Sequence, residues 1–238
     1  MVIDNECRIR MNTESLLNAG TRPLIACILL SLLSCSTDKT IKVGIQPFEN
    51  FDRSLTDTVL NALASTYAVK VYVLERKPLP EEAFIHVKTP RYRADKLISM
   101  SKKQKPDSLD FVVLLTDKDI STTKRDNLGR IKAPESKYRD WGVFGLGYRP
   151  GPSCIVSTYR LKNTDQGKFI ERLKKVSIHE LGHNMGLDHC ESEHCVMRDA
   201  VETIKTIDRV DSNVCDQCRR KLGSFAIMTS FAQMPKNR

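Results

Sequence analysis

The chain has 238 residues, of which 40% are hydrophobic and 28% are charged, and its formal net charge is +9 at pH 7. This length and composition suit one well-buried globular domain, and no internal repeat or low-complexity tract is present. Lysines and arginines are scattered rather than gathered into long tracts with interleaved aromatic residues, which argues against a nucleic-acid partner. The sequence does not indicate an oligomeric state.

The first 35 residues differ in kind from the rest. Eleven almost uninterrupted apolar residues, 24–34, follow Arg22; they would span about half of a bilayer core, so they do not form a transmembrane helix. They fit a secretory signal, and residues 32–35 (Leu-Leu-Ser-Cys) resemble a bacterial lipobox. We therefore predict a leader over residues 1–35, a membrane anchor on lipidated Cys35, and a lipoprotein facing the periplasm or cell surface. The alternatives are a buried N-terminal helix and a cytoplasmic location.

The first elements of the predicted domain, residues 36–238, alternate strand and helix. Residues 41–48 alternate apolar and polar side chains, which predicts a strand that ends near Pro47. Residues 52–66 place leucines and a valine at helical spacing, and residues 68–74 form a second predicted strand. Residues 76–90 are punctuated by prolines and are predicted to be irregular.

The middle of the chain adds a helix and further strands. Residues 91–101 are predicted to be helical. The apolar run 111–115 is short and rich in β-formers, which predicts a central strand buried on both faces. A polar loop is expected over 116–136. Residues 141–148 are glycine-rich, which suits a strand close to another backbone, and 153–161 are a further β run.

A long helix follows, capped by Thr164 or Asp165. Its predicted inward positions are apolar and recur at helical spacing: Phe169, Leu173, Val176, Ile178 and Leu181. The elements together predict an α/β domain with one sheet, followed by a helix that carries the most distinctive motif in the chain.

That motif reads H-E-x-x-H-x-x-G-x-x-H over residues 179–189. Positions four apart on a helix differ by about 40° and 6 Å, so His179 and His183 can reach one ion. Gly186 can adopt a positive φ, end the helix and return the chain so that His189 becomes a third ligand. Three neutral imidazoles around zinc make its bound water acidic. Glu180 is then placed to take a proton from that water as general base.

Two other interpretations of the motif are available. The pentapeptide H-E-x-x-H can arise by chance with core histidines, although the added glycine and third histidine at set offsets argue against it. Such a site can also be retained for metal or peptide binding without catalysis, which gives a non-catalytic zinc or peptide-binding module as the alternative function.

Four cysteines near the C-terminus form the pattern C-x4-C…C-x2-C: Cys190, Cys195, Cys215 and Cys218. Two close pairs separated by a loop predict a tetrahedral structural zinc site, which contributes directly to folding. Two disulfides are the alternative in an exported protein. Because Cys190 follows the third histidine directly, this second site would clamp the segment that carries that ligand.

Other candidates have weaker patterns. Met197 lies eight residues after His189, where a tight turn could bring its thioether under the metal, although core packing is the more common role. Cys154 is expected to be a buried thiol, and His86 and His194 have no ligand spacing.

At these residues the chain resembles the archaemetzincins, a family with the extended motif joined to H-C-x4-C-x-M-x17-C-x2-C. Every element of that pattern is present in residues 189–218, and the resemblance covers roughly residues 41–230. Four upstream segments also look like family segments: residues 91–93, 116–120, 143–145 and 157–161. The chain departs from the family at its N-terminus, since family members lack an export signal.

The resemblance implies a compact single-domain, metzincin-like α/β fold with a mixed β-sheet, an active-site helix and a C-terminal helix. It implies that the three histidines bind catalytic zinc, that Glu180 is the base, that Met197 forms the Met-turn and that the four cysteines bind a second zinc. It also implies that a peptide or protein substrate lies along the edge strand near residues 142–148.

Overall fold

The domain begins with an alternation of strand and helix. In the computed structural model, which describes residues 40–199 and 203–223, strand β1 (Lys42–Pro47) precedes helix α1 (Arg53–Tyr67). The carboxylate of Asp52 caps α1 by accepting hydrogen bonds from the first backbone N–H groups. Strand β2 (Lys70–Val73) follows. All three elements begin and end within two residues of the predicted bounds, and assignments of helix and strand ends commonly differ by that much.

Short elements fill the next part of the chain, after a 3₁₀ turn at Glu81–Ala83. In order they are β3 (Phe84–His86), β4 (Pro90–Arg93), α2 (Ala94–Gln104), β5 (Phe111–Thr116), β6 (Ile120–Thr122) and α3 (Glu135–Tyr138). The remaining elements are β7 (Trp141–Val143), β8 (Gly145–Gly147), β9 (Ser153–Ser157), α4 (Gln166–Asn184) and α5 (Ile204–Arg209). Residues 216–223 are helical where the described part of the chain ends.

The strands form two sheets. The larger has the order β2-β1-β5-β9-β8, with the first four strands parallel and β8 antiparallel at one edge. The smaller has the order β3-β4-β6-β7 and is also mixed. Every residue of β5 is buried, as its central position requires. The mixed α/β class is therefore confirmed.

The prediction of a single sheet is wrong. Residues 84–93 and 120–122, predicted as irregular, helical or loop, supply three strands of the smaller sheet. These strands have three or four residues each, too few for a periodic pattern to appear. The predicted strand over 141–148 is also divided, because Phe144 separates β7 in one sheet from β8 in the other.

Two apolar clusters lie on opposite faces of the larger sheet. Alternate residues of β5 point to each side, with Val113 in the cluster that includes α1 and α4, and Val112 in the one that includes α2. The predicted inward stripe of α4 is buried throughout: Phe169, Leu173, Val176, Ile178 and Leu181. Among the described residues, no helix combines the length and apolar character needed to span a bilayer.

Candidate metal centre

Two histidines on α4 face one another. The Nε2 atoms of His179 and His183 are 3.0 Å apart, while each Nδ1 lies 2.8 Å from a backbone carbonyl, that of Val196 and that of Leu187 respectively. A carbonyl oxygen only accepts, so each Nδ1 carries the proton and donates. Both Nε2 lone pairs are therefore left to converge on one point, which is the arrangement of metal-binding imidazoles with their outer hydrogen bonds in place.

The third histidine arrives after the helix ends. Gly186 has a φ of 91°, which turns the chain as predicted. Each histidine offers a ring nitrogen, and the three atoms lie within 4.8 Å of one another; His189 is half exposed, with Nδ1 3.7 Å from the carboxylate of Asp199. This histidine cluster (His179, His183 and His189) fits zinc in donor type and in spacing.

The protonation of two histidines agrees with a ligand role. Burial lowers the pKa of His179 to about 3, with the neighbouring His183 as the next cause. Burial also lowers the pKa of His183. Both rings are therefore neutral near pH 7, and the neutral imidazole is the form that binds a metal.

Glu180 lies against the glycines of β8. A Cβ at Gly145 would be 2.6 Å from the Glu180 Cγ, and a Cβ at Gly147 would be 2.6 Å from the Glu180 carbonyl oxygen. The side chain is buried, which raises the pKa of Glu180 to about 8, while the Gly147 N–H bond to it opposes that rise. The glycines thus allow α4 to approach the edge strand and bring a carboxyl group beside the histidine cluster.

The histidine cluster and Glu180 line a cavity of about 530 Å³. Its walls come from residues 141–147 on one side, from α4 on another and from α5 on a third. A ligand in this cavity would therefore meet the edge strand and the histidines together.

The four predicted cysteines also converge. Cys190 and Cys215 have Sγ atoms 3.7 Å apart, those of Cys195 and Cys218 are 3.8 Å apart, and all four lie within 4.8 Å of one another. A tetrahedral zinc with bonds of about 2.3 Å needs sulfur atoms about 3.8 Å apart, whereas a disulfide needs about 2.05 Å. This cysteine cluster therefore fits zinc, and its thiols are free in the structure.

Met197 is fully buried beneath α4. A Cβ at Gly182 would lie 2.5 Å from the Met197 Sδ and 2.8 Å from the Tyr67 hydroxyl, so this helix position has no room for a side chain. The Met197 carbonyl accepts a hydrogen bond from the Cys190 N–H at 2.9 Å. The turn with Met197 is thus bonded to the residue that follows the third histidine.

The other sequence candidates lie elsewhere. Cys154 is buried, as predicted, while His86 and His194 are exposed and outside both clusters. Cys35 lies outside the described residues. Sequence reasoning missed several polar residues that line the cavity, among them Arg160 and Lys175. Lys175 is four residues before His179, so helical spacing was a usable signal; nothing local indicated Arg160.

Comparison with known proteins agrees with this geometry. A family model described as "Peptidase family M54" matches residues 37–224. Archaemetzincin of Halobacterium salinarum is 29% identical over 189 residues, which cover 76% of this chain and 98% of that protein. Archaemetzincin of Nanoarchaeum equitans is 32% identical over 173 residues, covering 73% and 85%. The crystal structure of archaemetzincin from Methanopyrus kandleri aligns with a TM-score of 0.64 at 26% identity, covering 81% and 98%.

These matches contradict the predicted location. The prediction of a bacterial lipoprotein facing the periplasm or cell surface is wrong, because the relatives are archaemetzincins of archaea. The family match begins at residue 37, after the residues that resemble a lipobox. Four residues after a short apolar run form a pattern of low specificity, which explains the error.

Proposed function

The chain belongs to peptidase family M54 and is a zinc metallopeptidase, and from that premise we propose that Glu180 is the general base of peptide hydrolysis. One observation carries the proposal. Three imidazole nitrogens within 4.8 Å of one another and a buried carboxyl group line the same cavity. The substrates of such an enzyme are peptides or proteins.

We propose His179, His183 and His189 as the ligands of the catalytic zinc. When bound, zinc supplies a Lewis acid that makes water nucleophilic near neutral pH and polarises a carbonyl. The carbonyls of Val196 and Leu187 hold two of the rings through their Nδ1 protons, so the ligands are oriented in advance. Glu180 accepts the proton of the attacking water and returns it to the leaving amine.

The substrate is proposed to lie along β8. This strand is at the edge of the larger sheet, its partner β9 occupies only one side, and its residues line the cavity. An extended peptide can pair with such an edge through main-chain hydrogen bonds. The scissile carbonyl would then face the histidine cluster.

We propose a second, structural zinc in the cysteine cluster, with Met197 as the Met-turn below the catalytic site. The sulfur separations of 3.7 and 3.8 Å support four thiolate ligands rather than two disulfides. The disulfide alternative also depended on export, which the relatives contradict. We further propose that the peptidase domain covers residues 36–238, supported by the family match and by a compact unit that begins at Asp38.

Replacing the base tests the mechanism. Glu180→Ala removes the carboxyl group and no proposed ligand, so hydrolysis of a peptide library should fall by about 10³-fold while zinc content is unchanged. The matched control is Glu82→Ala, an exposed carboxylate remote from the cavity, which should retain activity. Zinc per chain is counted by native mass spectrometry, with two ions expected in all three proteins.

Three outcomes would contradict these proposals. Full turnover in Glu180→Ala would exclude Glu180 as the base. A zinc-loaded wild type that binds peptides without turnover would favour the non-catalytic module. One zinc per chain, with no free thiols in the cysteine cluster, would exclude the structural site.

A further inference from the structure

A buried asparagine joins α4 to the turn between β8 and β9 (residues 148–152). Asn184 is the last residue of α4, directly follows the proposed ligand His183, and is fully buried. Its Nδ2 donates to the carbonyls of Tyr148 and Ser153, each at 3.1 Å. These carbonyls lie at the two ends of the turn, because Tyr148 follows β8 and Ser153 begins β9. One side chain therefore bonds both ends of the turn to the helix that carries the proposed ligands.

The chemistry of an amide suits this position. Two carbonyl oxygens need two donors, and the NH2 group of Asn184 supplies both without adding a charge. Among the residues that the structure describes, the buried Oδ1 of Asn184 has no hydrogen-bond partner. An unpaired buried acceptor lowers stability. The two bonds donated to the turn are therefore what this side chain provides.

The backbone of the turn also comes close to α4. The Gly151 N–H donates to the Asn184 carbonyl at 3.3 Å. A Cβ at Gly151 would lie 2.9 Å from the Tyr148 carbonyl oxygen and 3.2 Å from Asn184 Nδ2, so a side chain there would press on the bonded atoms. Arg149 of the same turn pairs with Asp188, in the segment that leads to the third histidine. The turn thus contacts both the end of α4 and the loop that follows it.

The same face of α4 contacts β8 one helical turn earlier. Glu180 lies four residues before Asn184, and positions four apart share a helix face. The Glu180 carboxyl group accepts a hydrogen bond from the Gly147 N–H. In the proposed reaction this carboxyl group takes up and returns a proton, so the strength of its bond to Gly147 changes during the cycle. The Asn184 amide does not titrate, and it therefore holds the hairpin throughout.

We propose that Asn184 is a positioning residue: its two hydrogen bonds set where β8 lies relative to the histidine cluster, and so where an extended peptide on β8 presents its scissile carbonyl. The proposal rests on the proposed peptidase function and substrate strand. Asn184 does not line the cavity, so it acts through β8. A ligand that pairs along β8 depends on this position, whereas a ligand too short to reach the strand depends on the metal centre alone.

Two inhibitors separate the strand from the metal. Acetohydroxamate binds zinc alone, whereas a hydroxamate attached to a tripeptide can also pair along β8. Kd for both is measured by calorimetry on the zinc-loaded full chain, in the wild type and in Asn184→Asp. Aspartate keeps the size of asparagine and loses both donors. We expect Kd of the peptidyl compound to rise about tenfold, because the hydrogen bonds that place β8 are lost, while Kd of acetohydroxamate and zinc per chain stay unchanged.

A second variant reaches the same contact from the turn. The Cβ in Gly151→Ala meets the Tyr148 carbonyl and Asn184 Nδ2, so it weakens their bond without placing a charge in α4. Kd of the peptidyl compound should rise about threefold or more, with that of acetohydroxamate unchanged. The matched controls are Asn127→Asp, an exposed asparagine, and Gly223→Ala, where the Cβ meets no atom within 4 Å. Gly151→Ala tests the proposal even if Asn184→Asp fails to fold.

Hydrogen exchange measures the same contact without a ligand. Peptides that cover residues 145–157 should exchange about tenfold faster in both variants than in the wild type, because the β8–β9 hairpin opens locally more often. Peptides from β1 and β5 should keep their exchange rates. A uniform increase across the chain would show a loss of global stability and would overturn the positioning role.

The outcomes separate this proposal from the peptidase function. Equal weakening of both inhibitors, or an unchanged Kd of the peptidyl compound in both variants, would overturn the role of Asn184 and leave hydrolysis by the wild type unaffected. A wild type that binds the peptidyl compound but hydrolyses no peptide would contradict the peptidase mechanism. Selective weakening of the peptidyl compound in the variants would then still support the role of Asn184.

Discussion

The histidine cluster and the cysteine cluster lie next to each other in sequence but differ in exposure. His189 is 49% exposed and the three histidines line a cavity. Cys195 and Cys218 are 1% and 2% exposed, and none of the four cysteines lines that cavity. Three proposed ligands beside open space would leave a coordination position for chemistry, whereas four thiols around one ion would leave none. Zinc would therefore take part in the reaction at the histidine cluster and would hold two chain segments together at the cysteine cluster.

The two clusters are also built from different parts of the chain. Two histidines come from consecutive turns of α4, so the helix alone brings them together. The cysteines come from residues 190–195 and 215–218. The Cys190 N–H donates to the Met197 carbonyl and closes the first segment, and the Val196 N–H donates to the Asn213 carbonyl and connects it to the second. The geometry of the histidine pair thus depends on a rigid helix, whereas a metal in the cysteine cluster would itself hold the two loop segments in place.

The largest expected effect separates reaction from folding. His183→Ala removes a proposed ligand at the histidine cluster, so activity should fall about 10³-fold or more, because a metal Lewis acid supplies several kcal/mol of transition-state stabilisation. The free energy of unfolding should change by only about 1 kcal/mol. Urea unfolding and activity are measured on one preparation, with His194→Ala, an exposed histidine, as control. Loss of the fold in His183→Ala would contradict the expectation that the histidine cluster serves the reaction rather than stability.

The converse variant is Cys215→Ser. Loss of a thiolate from a structural site should lower the free energy of unfolding by about 3 kcal/mol or more. Catalytic zinc occupancy should fall as well, because Cys190 follows His189 directly. Cys154→Ala, which removes a buried thiol outside the cluster, is expected to cost about 1 kcal/mol and no zinc. Full zinc content and activity in Cys215→Ser would refute the clamp.

A third variant sharpens the role of the edge strand. In Gly147→Ala the new Cβ would meet the Glu180 carbonyl oxygen at 2.6 Å, so α4 must move from β8. A displacement of about 1 Å costs on the order of 100-fold in rate, with zinc content unchanged. Gly223→Ala, where the Cβ meets no atom within 4 Å, is the control. Equal kcat in both variants would show that this close approach is dispensable.

The smallest effect concerns α5, which lies between Cys195 and Cys215 in sequence. The Arg172 hydrogen bond lowers the pKa of Asp208, which is therefore charged to lower pH in the folded state. The stabilisation is present above the unfolded pKa of about 3.9 and is lost as pH falls through the folded value.

Asp208→Asn should therefore destabilise the protein by about 1 kcal/mol at pH 7, after solvent screening, and by nothing measurable near pH 2. Urea unfolding at the two pH values measures the difference, and Asp211→Asn is the exposed control. A difference independent of pH would mean that packing, rather than the ion pair, connects α5 to α4.

Much of the site followed from spacing. The helix that carries His179 and His183, the turn at Gly186 and the two close cysteine pairs depend on offsets of five or fewer residues between neighbouring positions, or on a local glycine. Local offsets translate directly into geometry because the backbone between them has few conformations. The strands β1 and β5 were predicted for the same reason, since their side-chain patterns are local.

Other features had no local signal. Strands β3, β4 and β6 are too short for periodicity, and they form by pairing with one another, with Tyr92 of β4 opposite Phe84 of β3 and Ile120 of β6. Arg160 also had no local signal, because its partner Asp119 and the glycine that leaves room for it, Gly142, are distant along the chain.

By itself, the sequence predicted the proposed ligands, the proposed base and the family pattern, because these depend on residue identity at short separations. Only the tertiary structure decided how exposed each cluster is, with His189 half exposed and Cys195 and Cys218 buried. It also decided that the Sγ atoms of Cys190 and Cys215 lie 3.7 Å apart, and that Arg160 and Lys175 line the same cavity. Exposure and long-range proximity depend on how whole elements pack, and packing is a sum over contacts that no single stretch of sequence contains.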